Sequence, residues 1–186
     1  MNLDMSNWKP FRFGELIDDI YKAEPHSKVL LNVRDRPHGD DVPFVTRTES
    51  SNGVDCYVSS SDVETEPGNA LVIGDTTSTI SYQSDAFSTG DHIVVIRANW
   101  LNVWTGLFIV TLLRKERFRY SYGRAFRIPA IKEARLLLPA KKDETPDWQW
   151  VEQYVKSLKA RPLSTNNGVE DALPLDTRTW RPFLLC

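Results

Sequence analysis

The chain has 186 residues, of which 26% are charged and 41% hydrophobic. That describes one ordinary globular domain with room for a short appendage, able to bury a core without staples and neither disordered nor fibrous. A formal net charge of −2 argues against blanket, histone-like binding of nucleic acid but leaves room for a local basic face. Cys56 and Cys186 are the only cysteines, too few for a disulfide framework or a thiolate zinc site, and they read as free thiols in a reducing compartment.

Met1 to Met5 offers no basic or apolar leader, so no signal peptide is expected. Phe11 to Ala23 reads as a short extended lead-in followed by a helix, with Leu16, Ile17, Ile20 and Tyr21 on one face. Lys28 to Val33 is a short apolar run, and Arg34 to Asp41 a charged loop. Val42 to Thr46 and Val54 to Ser59 read as paired strands around the turn Ser50-Ser51-Asn52-Gly53. After a polar loop, Ala70 to Gly74 and Thr79 to Gln83 form a second strand pair around Asp75-Thr76-Thr77-Ser78, and His92 to Arg97 a buried strand.

Leu101 to Arg117 is the clearest helix. It is apolar on most sides through Leu113, too short to span a bilayer, and ends in cations that suit a helix C-terminus. Tyr120 to Arg127 is loop or strand, and Ala134 to Leu138 a strand stopped by Pro139. Asp143 to Asp147 is an acidic run that caps an amphipathic helix over Asp147 to Ala160, and loop follows Pro162. The sum is an α+β fold: a single, mostly β domain over residues 8–160 with a buried helix and a C-terminal amphipathic helix, then a linker over 161–186. A cytoplasmic protein with no membrane partner is expected.

Charge is unevenly distributed. From Thr48 to Ile96 there is no Lys or Arg, but there are eight carboxylates. From Arg114 to Lys142 the sign reverses: Arg114, Lys115, Arg117, Arg119, Arg124 and Arg127 lead a basic run interleaved with Phe118, Tyr120, Tyr122 and Phe126. Cations neutralise phosphates and aromatic faces meet bases. A solvated helix end followed by a half-buried strand fits the same pattern. Two turns are rich in hydrogen-bonding groups: Arg47, Thr48 and Asn52 at one, and Thr76, Thr77, Ser78, Tyr82 and Gln83 at and after the other. Such groups suit phosphates and base edges, and equally suit turns that bond their own backbone.

Catalytic signals are sparse. His26, His38 and His92 lack metal-ligand spacing, and neither a phosphate-binding loop with its lysine nor a nucleophile elbow is present. No metal site is expected. One echo stands out: Trp8-Lys9-Pro10-Phe11 returns as Trp180-Arg181-Pro182-Phe183. It is either chance or the truncated opening of a second copy.

The order of short motifs carries a resemblance. Phe11-Arg12-Phe13-Gly14-Glu15-Leu16-Ile17 is followed by Pro43 to Thr48 with Asn52-Gly53-Val54, then Pro67 to Gly74. Tyr82-Gln83, Phe87 to Asp91, Tyr122-Gly123-Arg124, Leu136 to Pro139 and Pro146-Asp147-Trp148 come next. Across Trp8 to Ala160 this resembles a target recognition domain of the specificity subunits of type I restriction-modification systems, with a closer likeness to the type IIB-like branch. The resemblance implies a non-catalytic chain that reads one half of a bipartite site in double-stranded DNA. It implies docking to a DNA methyltransferase subunit, which brings S-adenosylmethionine, so no cofactor of its own; a restriction subunit is a further partner. A half-length subunit could homodimerise and read a palindromic site.

Carried onto these positions, the resemblance assigns DNA contacts to Arg47, Thr48, Asn52, Thr76, Thr77, Ser78, Tyr82, Gln83, Tyr122 and Arg124. It assigns phosphate contacts to Arg114, Lys115, Arg117, Arg119 and Arg127, and partner docking to Trp148 and Tyr154. Two other readings compete: a small metal-dependent nuclease built on the acidic stretch, and a non-DNA-binding module or decoy that docks methyltransferase subunits.

Overall fold

The structure, a computed structural model, describes residues 4–120 and 125–160. Its strands are β1 (Trp8–Arg12), β2 (Asp19–Lys22), β3 (Asp41–Val45), β4 (Val54–Ser59), β5 (Ala70–Gly74), β6 (Thr79–Gln83), β7 (Ser88–Thr89), β8 (Ile93–Arg97) and β9 (Arg135–Pro139). Its α-helices are α1 (Val103–Glu116), α2 (Ile128–Glu133) and α3 (Trp148–Ala160). The class is α+β, mostly strand.

The middle layer is an antiparallel sheet in the order β2-β8-β5-β6. Its two inner strands, β5 and β8, are apolar runs because both faces are covered. Leu71, Ile73, Val94 and Ile96 pack against Ile109, Val110 and Leu113 of α1. The alternate residues Val72, Ile93 and Val95 pack against Val45 and Phe87 on the opposite side. That second side is a small sheet, β4-β3-β7, in which β3 pairs antiparallel with β4 and parallel with β7. Helix α1 lies close on β6 because Gly106 has no side chain: a Cβ there would overlap the Tyr82 ring.

Capping fixes both long helices. Asn102 Oδ1 accepts from the backbone N–H of Trp104 (2.9 Å) and Thr105 (3.2 Å), and Thr105 Oγ1 accepts from Asn102 N–H, a reciprocal cap. Asp147 Oδ1 accepts from Trp150 N–H at 3.0 Å, so the acidic run does cap α3. Aromatic contacts lock α3 in place: Trp148 stacks on Trp100 at 4.0 Å, Tyr154 meets Phe108 of α1 edge-on, and Trp8 meets Trp150 edge-on. Strands β1 and β9 form a separate ribbon joining the two ends of the domain, Trp8 opposite Pro139 through Arg12 opposite Arg135.

Three expectations change. The helix anticipated within Phe11 to Ala23 is instead a 3₁₀ turn, Phe13–Glu15, followed by β2, whose residues pair with β8. The pairing available at the edge of that sheet outweighs the helical spacing of Leu16, Ile17 and Ile20. Helix α2 was not anticipated; Pro129 in its first turn is favourable there. Helix α1 buries one face, while Val103 and Leu107 remain exposed. The linker, the Trp180 echo, Tyr122 and Arg124 lie outside the described residues.

Candidate nucleic-acid interface

The β3–β4 connection makes a sharp turn. Ser51 (φ 47°) and Asn52 (φ 56°) are left-handed, a conformation Asn tolerates better than most residues, and Gly53 follows at φ 86°. The turn is tied to β6 from below. Asn52 Nδ2 donates to the Tyr82 carbonyl at 2.7 Å, and Gln83 Nε2 donates to the Asn52 carbonyl at 2.8 Å and to Ser81 Oγ at 3.1 Å. Tyr82 O–H donates to Asn69 Oδ1 at 2.8 Å.

Tyr82 and Gln83 are only 6% and 5% exposed. Both faces of β6 are covered, so these polar groups, which the resemblance assigns to DNA, face the scaffold that shapes the Asn52 turn. Burial pushes the Tyr82 phenol above its ordinary pKa. The Asn52 amide is committed inward as well.

The β5–β6 turn lies alongside. Arg47 Nη1 donates to Thr76 Oγ1 at 3.0 Å. Gly74 lets the arginine stem approach: a Cβ there would fall 2.9 Å from Arg47 Cγ and 2.9 Å from Thr77 Oγ1. Thr76 is half-buried and Thr77 exposed, whereas Ser78 is buried with φ 57° and donates its N–H to the Gly74 carbonyl at 2.8 Å. Ser78 therefore belongs to the turn's interior. Beneath it Asp75 is buried, with Oδ2 3.5 Å from Lys22 Nζ; Oδ1 lies 3.4 Å from His92 Nδ1 without making a hydrogen bond.

The C-terminal turn of α1 completes the face. Arg114 donates through Nε and Nη2 to the Ile80 carbonyl, at 3.1 and 2.8 Å. Arg117 is ion-paired with Glu49 of the hairpin tip, and the bond to Arg117 holds the Glu49 carboxyl below the usual carboxylate range. Arg119 pairs with Glu116 at 3.1 Å and lies over the Phe118 ring at 5.5 Å. Lys115 faces elsewhere, lining an apolar groove, and Arg127 is exposed just before α2, the helix that packs against the Phe13–Glu15 turn.

Arg47, Thr48, Thr76, Thr77, Arg114 and Arg117 are thus brought together by two turns and one helix end. Phe118 was noted in the basic run but not assigned to the site. It is 80% exposed beside Arg117 and Arg119, and its place between two arginines was the signal that marked it.

Trp148 and Tyr154 are half-buried. Trp148 stacks on Trp100, and Tyr154 contacts Trp150 and Phe108. Tyr154 also lines an open apolar groove of about 560 Å³ between α1, α3 and the β1–β9 ribbon, together with Trp8, Leu107, Leu137 and Leu158, whereas Trp148 is not part of its lining. Among the described residues no three of His, Cys, Asp and Glu are placed to hold a metal ion, and no helix is long and apolar enough to cross a membrane.

The chain belongs to the family of type I restriction modification DNA specificity domains, whose family model matches residues 5–165. Among curated proteins it is similar to S.BcgI, a type II restriction enzyme specificity subunit of Heyndrickxia coagulans. The two are 28% identical over 158 residues, covering 82% of this chain and 44% of that protein. Among solved structures it shares the fold of the HsdS subunit from Thermoanaerobacter tengcongensis (TM-score 0.53, 14% identity, 82% of this chain and 37% of that one). It also shares the fold of a chain solved in a study of complex assembly and conformational transition of the type I R-M system (TM-score 0.56, 14% identity, 86% and 40%). The chain therefore spans less than half the length of these relatives.

Proposed function

We propose that this chain reads one half-site of double-stranded DNA for a restriction-modification system and presents that DNA to a DNA methyltransferase subunit. The observation that carries the reading is the convergence of Arg47, Thr76 and Thr77 with Arg114 and Arg117 on one face, with Phe118 exposed in the adjoining turn. Guanidinium groups there suit phosphates or guanine edges, and the exposed Phe118 ring, with Arg119 over it, suits stacking on a base. The chain itself is a non-catalytic, cytoplasmic component with no cofactor of its own; S-adenosylmethionine would sit in the methyltransferase subunit. The apolar groove beside Trp8, Leu107 and Leu158 is the docking surface for that subunit. The other half-site falls to a second reading domain or a second copy of this chain.

The test is selection of duplexes from a randomised pool by the purified chain at low and moderate salt. An enriched short motif is expected. Arg47→Ala should cost roughly 1–3 kcal/mol at one base pair, whereas Arg117→Ala should weaken all duplexes alike. Absence of binding at low salt, together with tight capture of a methyltransferase subunit, would replace this reading with a docking module.

A further inference from the structure

The 3₁₀ turn Lys28–Leu30 presents Val29 at 91% and Leu30 at 86% exposure. Two adjacent large aliphatic side chains left in water at one tip are unusual enough to need a reason.

The turn is firmly braced. Before it, His26 N–H donates to the Thr89 carbonyl of β7 at 2.9 Å. Within it, Lys28 Nζ is 2.6 Å from Asp55 Oδ2 of β4. After it, Leu31 packs against the buried cluster of Phe44, Cys56 and Val58. Arg34 then exchanges backbone hydrogen bonds with Tyr57 at 2.9 and 2.8 Å. A turn held at its base with its apolar tip outward is already organised for contact.

Its position says with what. An open hollow of about 640 Å³ runs from Val29 past Phe44 and Thr46 to Arg47. The tip and Arg47 therefore border one surface, continuous with the face proposed to hold DNA. From Ser27 to Asp41 the cations Lys28, Arg34 and Arg36 are balanced by Asp35, Asp40 and Asp41, and Lys28 is paired with Asp55 and Arg34 with Asp41, so the contact offered by the tip is apolar rather than electrostatic.

We infer that Val29 and Leu30 form an apolar tip that packs against bases of the duplex engaged by Arg47, an inference that rests on the DNA-reading proposal. Aliphatic side chains read bases either by touching a thymine methyl group or by wedging into a base step. Both are apolar contacts with bases and involve no phosphate.

The absence of a phosphate contact supplies the test. The full chain is titrated with its selected duplex over a range of salt concentrations, as wild type, Val29→Ser/Leu30→Ser, Val29→Ile/Leu30→Met and Arg47→Ala. The serine pair should weaken the selected duplex by about tenfold or more while leaving the salt slope at the wild-type value, because no counterion release is lost. It should also relax preference at one or two base pairs and leave the thermal midpoint unchanged. The Ile/Met pair should retain binding.

Replacing thymine with deoxyuracil in the duplex should reproduce the loss if a methyl group is read. A rise in 2-aminopurine fluorescence on binding, absent in the serine pair, marks a wedge. If the serine pair binds and discriminates like wild type while Arg47→Ala does not, the tip inference fails and the DNA reading stands. If wild type selects no duplex, both fail.

Discussion

At Gly106 the absence of one carbon sets the distance between helix and sheet. A methyl group there would overlap the Tyr82 ring, whose hydroxyl is held by Asn69 and whose carbonyl holds Asn52. Gly106→Ala should therefore destabilise by about 1–3 kcal/mol through overpacking, despite the better helix propensity of Ala. It should also weaken DNA binding, because the Asn52 turn rests on the displaced strand; denaturant midpoints and duplex titrations read the two effects separately. Cys56 gives a second residue-level expectation. Burial raises its thiol pKa above the ordinary 9.0. A group that keeps its proton longer when folded contributes stability that is intact below the unfolded value and is lost as pH rises through the folded one. In a Cys186→Ser chain, Cys56 should react with a thiol reagent at pH 8 only as fast as the domain opens; rapid labelling of the folded chain would contradict its burial.

Among the elements, α1 is the one on which the others depend: it covers the sheet, receives α3 and ends in the cations of the candidate face. Asn102 caps it and also donates through Nδ2 to Glu152 of α3 at 3.2 Å. Asn102→Ala should cost about 1 kcal/mol for the lost cap, and a double-mutant cycle with Glu152→Ala should reveal a further coupling between the helices. This element, like α3 and the β5–β6 pair, was legible because its signals are local: a capping residue, a period and a turn. Strand β1 was not, since Trp-Lys-Pro-Phe shows no alternation and its partner β9 lies more than a hundred residues away. The site was half legible for a related reason. Arg114 and Lys115 are neighbours in sequence, but one step along a helix turns a side chain by about 100°, and they face a strand edge and an apolar groove respectively. Polarity suggested that Tyr82 and Gln83 face outward; only the enclosure of β6 between α1 and the Asn52 turn shows why they do not.

For the whole molecule, the proposed DNA reading raises the question of how a chain of net charge −2 would bind a polyanion selectively. Carboxylates dominate Thr48 to Ile96, and one of them, Glu49, occupies the candidate face itself, paired with Arg117. An acid there neutralises a cation that any phosphate would otherwise attract. On the proposed reading generic affinity stays low, and the hydrogen-bonding turns and the apolar tip would decide which duplex is held. Glu49→Gln should therefore tighten binding to random duplex more than to the selected one. It should also steepen the dependence of log K on log salt by about one, the increment for one newly engaged phosphate. The specificity ratio should fall even as affinity rises, measured by competing the selected duplex against random DNA. An unchanged slope and ratio would mean that Arg117 does not reach phosphate, leaving Arg47 and Arg114 to carry the electrostatic contact. Weaker binding to both duplexes would mean that the Glu49–Arg117 pair serves to hold the hairpin tip in position.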